Sequence, residues 1–235
     1  MLDTRNFDIP RFLSVLPLFS DIGRPELERL AKGCQLRRFE RGEMVFRMGE
    51  ACDSFHVVVV GQVKLFVLSP AGQEKVLELI GPGQSFGEAI MFTDRPYILG
   101  AQSLADTLLL TVSKQAVLAE IERDHRFALR MLAGLSRRMH GLVHDVEAYS
   151  LHSGLQRVIG FLLRDQALDD CAPTEVRTVS LPVSKATIAS RLSLSPEYFS
   201  RVLHELEASG LIEIDRRDIR ILDTQRLSRY GLTAA

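Results

Sequence analysis

The sequence predicts an α+β protein in which an antiparallel jelly-roll β-barrel is followed by a long α-helix and a C-terminal winged helix-turn-helix. Three observations support this fold: glycine-punctuated β-rich runs at 34–113, a heptad pattern of apolar residues at 126–149, and two helices with a hairpin after Ser184. A chain of 235 residues is long enough for two domains that each bury a core. The predicted boundaries are 1–124 for the barrel, 125–151 for the helix and 152–235 for the winged domain.

Composition excludes several classes of protein. No apolar run approaches the roughly 18 residues of a membrane span, and the short apolar stretch Phe12–Phe19 contains Pro17 and lacks a cleavage site. We therefore predict a cytoplasmic protein without a membrane partner. The cysteines Cys34, Cys52 and Cys171 are scattered and odd in number, which predicts reduced thiols rather than disulfides or a metal site.

The barrel is predicted from short runs of apolar, often β-branched residues between glycines. Intervals of roughly 8–12 residues between such runs are typical of a sandwich or barrel, and a jelly roll is the natural antiparallel closure. Between two of the runs, Pro70–Gln73 predicts a hairpin turn in which Gly72 can adopt a positive φ. The clearest runs are Phe55–Val60, Val63–Leu68, Val76–Ile80 and Leu108–Val112.

The long helix has apolar residues at alternating spacings of three and four. This a/d pattern extends over nearly three heptads and is typical of a helix that pairs with another helix. The simplest partner is a second copy of the chain in a twofold dimer, and the alternative is that the stripe packs on its own barrel. His140 and His144 lie off the stripe at a metal-capable i,i+4 spacing, and we interpret them as solvated. The predicted dimer seam consists of Leu132, Leu135, Met139, Leu142, Val146 and Tyr149.

The C-terminal region predicts two helices and a small hairpin. Ser184 is placed to cap the first helix, and Ser195, followed by Pro196, is placed to cap the second. Period-2 alternation on both sides of Asp215–Asp218 predicts the hairpin. This order is that of a winged helix-turn-helix, whose second helix enters the major groove of DNA. We expect a hinge at His152–Gly154, where the preceding helical pattern stops at a glycine.

The second of these helices has a polar face near its N-terminal end. Glu197, Ser200 and Arg201 lie at i, i+3 and i+4, and their side chains suit base reading, with arginine on guanine and glutamate on cytosine. The alternative is an ordinary ion pair between Glu197 and Arg201. Net charge gives little support, because residues from 181 onward include eight basic and seven acidic side chains. Candidates for phosphate contacts, which equally suit a solvated surface, are Ser184, Lys185, Arg191, Ser195, Arg216 and Arg217.

Two segments resemble one family of regulators. Gly83–Ala89 is similar to the phosphate-cassette entry, and Ser195–Leu203 to the recognition helix, of the cyclic-AMP receptor / fumarate-nitrate reduction regulator (CRP/FNR) family. The resemblance extends over essentially the whole chain. It implies a cyclic-nucleotide-binding-like barrel and a homodimer that regulates transcription, with DNA and RNA polymerase as partners. Within the family, Glu197 followed by Ser200 and Arg201 resembles the FNR branch, which implies a palindromic site with TTGAT-type half-sites.

The resemblance also implies an effector pocket inside the barrel. In cyclic-nucleotide-binding members a Gly-Glu pair holds the ribose, and an Arg-Ser or Arg-Thr about ten residues later pairs with the cyclic phosphate. Here the later position is occupied by a tyrosine and an isoleucine, and the nearest arginine is Arg95, so cyclic AMP is not expected to be the effector. The pocket candidates are Phe86, Gly87, Glu88, Tyr97 and Ile98.

Other effectors and functions remain open from the sequence. An iron–sulfur cluster is not expected because no cysteine precedes Cys34. The segments 72–78 and 86–92 resemble the DNR-type branch, which implies a haem-based nitric oxide sensor with a gas effector; His56 lies in a strand, and no ligand is assigned. The alternatives are a cyclic-AMP-dependent regulator and a cyclic-nucleotide-binding module that does not bind DNA. P-loop, nucleophile-elbow and HExxH motifs are absent from the sequence, so no enzyme is expected.

Overall fold

The computed structural model describes residues 7–19, 22–163, 177–181 and 183–233. The chain divides into two compact units, Met1–Gly141 and Leu142–Ala235. The division falls inside the helix that the sequence predicts at 125–151, and the functional boundaries given above stay a prediction. No helix among the described residues is both long and apolar enough to cross a membrane.

Short helices open the described part of the first unit. They are α1 at Ile9–Ser14, a 3-10 turn at Pro17–Phe19 and α2 at Arg24–Ala31. Helix α2 is amphipathic and buries Leu27 and Leu30, which lie one helical turn apart on the same face. These side chains join a core that also includes residues of the 3-10 turn and of the barrel, so the N-terminal helices close one side of the barrel.

The predicted jelly-roll barrel is confirmed. Two four-stranded antiparallel sheets have the orders β1-β8-β3-β6 and β2-β7-β4-β5, and the chain crosses between them at every connection except the β4–β5 hairpin. Their inner faces enclose an apolar core that includes Phe46, Phe86 and Tyr97. The strands are β1 Cys34–Phe39, β2 Met44–Phe46, β3 Ser54–Val60, β4 Val63–Leu68, β5 Glu74–Ile80, β6 Ser85–Phe86, β7 Gly100–Ser103 and β8 Thr107–Ser113.

The four strongest apolar runs of the sequence coincide with β3, β4, β5 and β8 to within two residues. The predicted hairpin turn joins β4 to β5. Gly72 has φ 78°, in the left-handed region that glycine adopts at no steric cost, and the Ser69 backbone N–H donates to the Gln73 carbonyl at 2.9 Å. The turn therefore fixes the pairing of Leu68 with Glu74 beside it, and a bulge between Leu65 and Phe66 shifts the register before Val63 pairs with Ile80.

Three helices follow elements of the barrel: α3 at Glu88–Met91, α4 at Lys114–Arg123 and α5 at His125–Leu151. The bounds of α5 match the predicted helix. Its first turns belong to the core of the first unit, because Phe127 and Met131 are fully buried there. From Leu132 onward the apolar side chains of the helix are largely solvent-exposed.

The second unit is the predicted winged helix-turn-helix with additions. The short strand that the sequence predicts between Pro173 and Pro182 is β9; it pairs with β11 and extends the predicted two-stranded hairpin to a wing sheet with the order β10-β11-β9. Helix α9 was not predicted. Residues 164–170, which the sequence predicts as the end of a helix at 154–170, and Cys171 lie outside the described residues. The elements are α6 Gly154–Leu163, β9 Arg177–Ser180, α7 Lys185–Arg191, α8 Pro196–Ala208, β10 Ile212–Asp215, β11 Asp218–Ile221 and α9 Thr224–Thr233.

Candidate DNA-binding surface and effector pocket

Helix α8 has the caps and the two faces that its sequence predicts. The Ser195 hydroxyl accepts a hydrogen bond from the Tyr198 backbone N–H at 3.1 Å, and Pro196 occupies the first helical position. One face is buried in the core of the second unit through Phe199, Val202, Leu203 and Leu206. Burial of this face fixes the rotation of the helix, so the opposite face is presented to solvent.

The three predicted base readers lie on that opposite face. Glu197 and Arg201 are exposed and Ser200 is half-buried. Among the described residues no ion pair joins Glu197 to Arg201; the Arg201 guanidinium carbon lies 4.9 Å from the centre of the Tyr198 ring instead. The ordinary ion pair that the spacing also allowed is therefore not formed, and the guanidinium edge and the carboxylate both face solvent.

Five of the predicted phosphate contacts lie at or near the surface of the unit. Ser184 and Ser195 are exposed N-caps, and Lys185 directly follows the first of them. Arg216 and Arg217 are exposed in the turn of the wing, where Arg216 adopts φ 55°. These positions suit the predicted phosphate contacts, because helix N-termini and wing turns present N–H groups and cations to a backbone.

Arg191 is placed differently from the expectation. It ends α7 with its side chain only 8% exposed, and its Nη2 lies 2.5 Å from the Asp145 carboxylate, which is 14% exposed on the last part of α5. A guanidinium buried against a carboxylate does not reach a DNA phosphate, so the predicted phosphate contact at Arg191 is wrong in this structure. The side chain instead ties the end of the long helix to the helix-turn-helix.

In the barrel, the predicted pocket residues converge where β6 leads into α3. Phe86 is fully buried, and Gly87 caps α3 with φ 90°, a conformation that a side chain would strain. Glu88 is buried, and its Oε1 accepts a hydrogen bond from the Ser85 hydroxyl at 3.3 Å. The Gly-Glu pair that the resemblance singled out is thus held inside the fold rather than on its surface.

Tyr97 and Ile98 occupy the position at which the resemblance calls for an arginine. The Tyr97 ring is buried and stacks flat on Phe46, with centroids 3.6 Å apart and planes 4° apart, and its hydroxyl donates to the Ser54 carbonyl at 3.0 Å. Burial raises the pKa of the Tyr97 hydroxyl, which stays neutral. Ile98 is 61% exposed and does not join the other pocket candidates inside the barrel.

His56 completes an aromatic cluster in the barrel. Its Nδ1 lies 3.0 Å from the Thr111 hydroxyl, and its ring centre lies 5.8 Å from that of Phe46 and 5.2 Å from that of Phe86. Burial, aided by the positive charge of Arg37, lowers the pKa of His56 from 6.5 to about 4. His56 is therefore neutral near pH 7. Within the described parts of the chain no three His, Cys, Asp or Glu side chains cluster as metal ligands.

The pKa of His56 predicts a pH-dependent stability. Below pH 6.5 the unfolded chain takes up a proton at His56 that the folded barrel does not accept until about pH 4, so stability falls across this window. The slope is about 1.4 kcal/mol per pH unit. Urea unfolding of the wild type and of His56→Phe, measured between pH 7 and 4, should show a shallower loss in the variant. The exposed His140→Phe is the control; equal slopes in all three proteins would contradict the prediction.

The comparisons with known proteins agree with this geometry. Residues 36–124 match the model of the cyclic nucleotide-binding domain, and residues 156–230 match that of the Crp-like helix-turn-helix domain. The crystal structure of DNR from Pseudomonas aeruginosa is 34% identical, over 98% of this chain and 100% of that chain, with a TM-score of 0.53. The chain belongs to the CRP/FNR family of transcription regulators. It is a DNA-binding regulator and not an enzyme.

Other CRP/FNR relatives cover nearly the whole chain. The cyclic AMP receptor protein of Thermus thermophilus is 27% identical, over 92% of this chain and 98% of the relative. The structure of FixK2 from Bradyrhizobium japonicum is 23% identical, over 83% of this chain and 96% of that chain, with a TM-score of 0.73, which is a likeness of fold. The chain therefore has both the cyclic nucleotide-binding domain and the helix-turn-helix domain of this family.

The CRP/FNR resemblance raised two effectors, and neither fits the described barrel. Cyclic AMP would need a cation for its phosphate, whereas Tyr97 offers a neutral, already hydrogen-bonded hydroxyl. Haem would need open space beside an axial ligand. His56 is the histidine inside the barrel, and the rings of Phe46 and Phe86 occupy the space next to it.

Sequence reasoning missed two residues of this CRP/FNR chain. Asp145 lies on the predicted helix, but its partner Arg191 is 46 residues away, and no local pattern relates them. Tyr198 was not singled out from the sequence. Its spacing of three residues before Arg201 is a local signal, since side chains at i and i+3 meet on a helix.

Proposed function

We propose that this chain is an effector-responsive homodimeric regulator that acts in the cytoplasm on palindromic sites with TTGAT-type half-sites, together with RNA polymerase. The observation that carries the proposal is the exposed polar face of Glu197, Ser200 and Arg201 on a helix whose opposite face is buried. Arginine can fork onto guanine O6 and N7, and glutamate can accept from cytosine N4, so this face suits a half-site that contains a G·C pair.

The homodimer is supported by the exposed side chains of α5. Leu132, Met139, Leu142 and Val146 are 48–63% exposed in the single chain, although they follow a heptad pattern. An apolar stripe of this length on a soluble helix is typical of an interaction surface. A second copy supplies an identical stripe, and a twofold axis along α5 gives two recognition helices related by the symmetry of a palindrome. Leu135 is half-buried, and the side chain of Tyr149, the sixth residue of the proposed seam, lies outside what the structure describes.

Leu142→Glu should convert the dimer to a monomer. Two buried carboxylates would face each other across the twofold axis, and each Leu142 would lose the burial that the dimer gives it. Sedimentation analysis of the purified chain should show a dimer for the wild type and a monomer for the variant. His140→Glu, an exposed residue of the same helix off the seam, should stay dimeric. A dimeric Leu142→Glu variant would place the interface elsewhere.

The effector is proposed to be a small molecule or gas that is not recognised through a cyclic phosphate. Support comes from the barrel, where Tyr97 stacks on Phe46 at the position of the missing arginine. A ligand that changes the packing of this cluster would act on the neighbouring core through β3, because the Tyr97 hydroxyl donates to the Ser54 carbonyl. The next residue, Phe55, belongs to the apolar cluster that also holds Phe127 and Met131 in the first turns of α5. A ligand that binds one packing of the cluster more tightly than another would shift the population of the chain toward that packing.

The coupling to DNA is proposed to involve the break in the helical chain at His152–Gly154. The Asp145 to Arg191 ion pair joins residues on both sides of this break. Rotation at the break would therefore separate Asp145 from Arg191. While this ion pair is formed, it holds the last part of α5 and the helix-turn-helix together. Effector-dependent movement of the two recognition helices toward a separation of about 34 Å would set operator affinity.

The experiment is a selection of bound duplexes from a random library by the full-length chain. Enrichment of a TTGAT palindrome is expected. Enrichment of a different palindrome would retain a dimeric regulator and reject the FNR-type site, and enrichment of no sequence would reject sequence-specific binding. Repeating the selection with cyclic AMP tests the cyclic-AMP-dependent alternative, and we expect unchanged enrichment.

A further inference from the structure

The ring of Tyr198 lies between the guanidinium of Arg201 and the backbone of Gly154. The Arg201 guanidinium carbon is 4.9 Å from the ring centre. A β-carbon on residue 154 would lie 2.5 Å from Tyr198 Cε1 and 2.9 Å from Cζ and Oη. Only glycine at the start of α6 therefore leaves room for the ring in this position.

This arrangement orients the guanidinium without using its hydrogen-bond donors. A cation–π contact does not require the guanidinium N–H groups to donate to a protein acceptor, so they stay available for the bidentate fork onto guanine. An arginine on an exposed helix face otherwise has the rotamer freedom of a long flexible side chain, part of which is lost on binding. A contact that already restricts this freedom in the free protein lowers the entropic cost of reading the base.

The position of the Tyr198 ring is itself fixed. Tyr198 occupies the first turn of α8, where Ser195 caps its backbone N–H, and Gly154 begins α6 directly after the break that follows α5. The contact therefore relates the orientation of Arg201 to the position of the first residue of α6. By contrast, Arg216, an exposed arginine in the turn of the wing, has no cation–π contact among the described residues.

We infer that Tyr198, seated on Gly154, is a positioning residue that sets the orientation of Arg201 and thereby the base specificity of the recognition helix. This inference rests on the proposed function, in which Arg201 reads a G·C pair in each half-site. Tyr198 acts through Arg201 and does not itself contact a base. Its role is to hold Arg201 in the conformation that can form the fork.

The test compares discrimination between the palindrome that the wild type selects and the same duplex with one symmetric G·C pair replaced. Tyr198→Phe keeps the ring and should discriminate as the wild type does. Tyr198→Leu removes the π face and should lose about two- to fivefold discrimination in each half-site, or about 4- to 25-fold for the dimer. Tyr230→Leu, a tyrosine of the same unit that contacts Glu205, is the matched control and should retain discrimination.

Two further readouts separate positioning from a general loss of structure. Affinity for non-specific duplex and the dependence of binding on salt report the phosphate contacts, and both should be unchanged in Tyr198→Leu. Gly154→Ala displaces the ring and should reduce discrimination in the same direction, and the double variant should be no worse than Tyr198→Leu, since the two residues act through one contact.

The outcomes distinguish this inference from the proposed function. If the wild type discriminates the G·C pair, Arg201→Ala loses that discrimination and Tyr198→Leu keeps it, then the inference is overturned and the proposed function stands. A parallel loss of specific and non-specific affinity in Tyr198→Leu would also overturn it, because a structural role would produce that pattern. A wild type that discriminates no base pair would overturn both.

Discussion

Replacing Arg191 with alanine is expected to destabilise the second unit by about 3–5 kcal/mol, the range for removal of one partner from a buried ion pair. The Arg191 and Asp145 side chains are 8% and 14% exposed, with Nη2 and Oδ2 2.5 Å apart. Removal of the guanidinium takes away the cation 2.5 Å from a largely buried carboxylate, and the expected cost is that of breaking this buried pair. The loss should be confined to the unit formed by residues 142–235.

A second ion pair of the same unit provides a matched control. Arg220 and Glu213 pair across β11 and β10 at 2.6 Å, but their side chains are 51% and 54% exposed. Arg220→Ala should therefore cost less than about 1 kcal/mol. The double variant Asp145→Leu/Arg191→Met removes both charges and should recover most of the stability that Arg191→Ala loses.

Hydrogen exchange resolved by peptide is the measurement, because it reports the opening free energy of each unit separately. Increased exchange in α7 and α8 with unchanged exchange in the barrel strands is expected for Arg191→Ala. Similar exchange in Arg191→Ala and Arg220→Ala would show that burial of the first pair contributes nothing to the stability of the unit.

The burial of Arg191 is a feature that the local sequence does not predict. A basic residue in the last turn of a short helix has a favourable local position whether it is exposed or buried, because it interacts with the helix dipole in both cases. Its burial follows from the packing of α7 against the last part of α5, which is a tertiary contact over 46 residues. The caps Ser184 and Ser195 were predictable, since a cap is decided by residues within one helical turn.

The barrel shows the same division between local and tertiary information. Its strands could be placed because glycine turns and apolar runs are local patterns, and the turn at Gly72 was confirmed. Tyr97 and Ile98 were grouped as pocket candidates from their position in the sequence, but Tyr97 is buried in the barrel and Ile98 is 61% exposed. The stacking of Tyr97 on Phe46 joins residues 51 positions apart, and no spacing in the sequence predicts it.

The recognition helix allows the most specific prediction. Arg201→Ala should remove about 1–3 kcal/mol of discrimination against a replaced G·C pair in each half-site, and therefore about 2–6 kcal/mol for a palindrome bound by both helices. The loss should be confined to that symmetric base pair, because the exposed guanidinium edge forms the bidentate contact that the alanine cannot make. Equilibrium titrations of the wild type and the variant on both duplexes measure it.

The control is Arg216→Ala in the wing turn. Arg216 is exposed and does not lie on α8, so its loss should weaken binding to all duplexes about equally and reduce the salt slope by about one. Arg201→Ala should do the reverse, with the salt slope nearly unchanged and the base preference lost. If Arg201→Ala instead lowered affinity equally for every duplex, Arg201 would contact phosphate, and specificity would have to come from Glu197, Ser200 or the shape of the DNA.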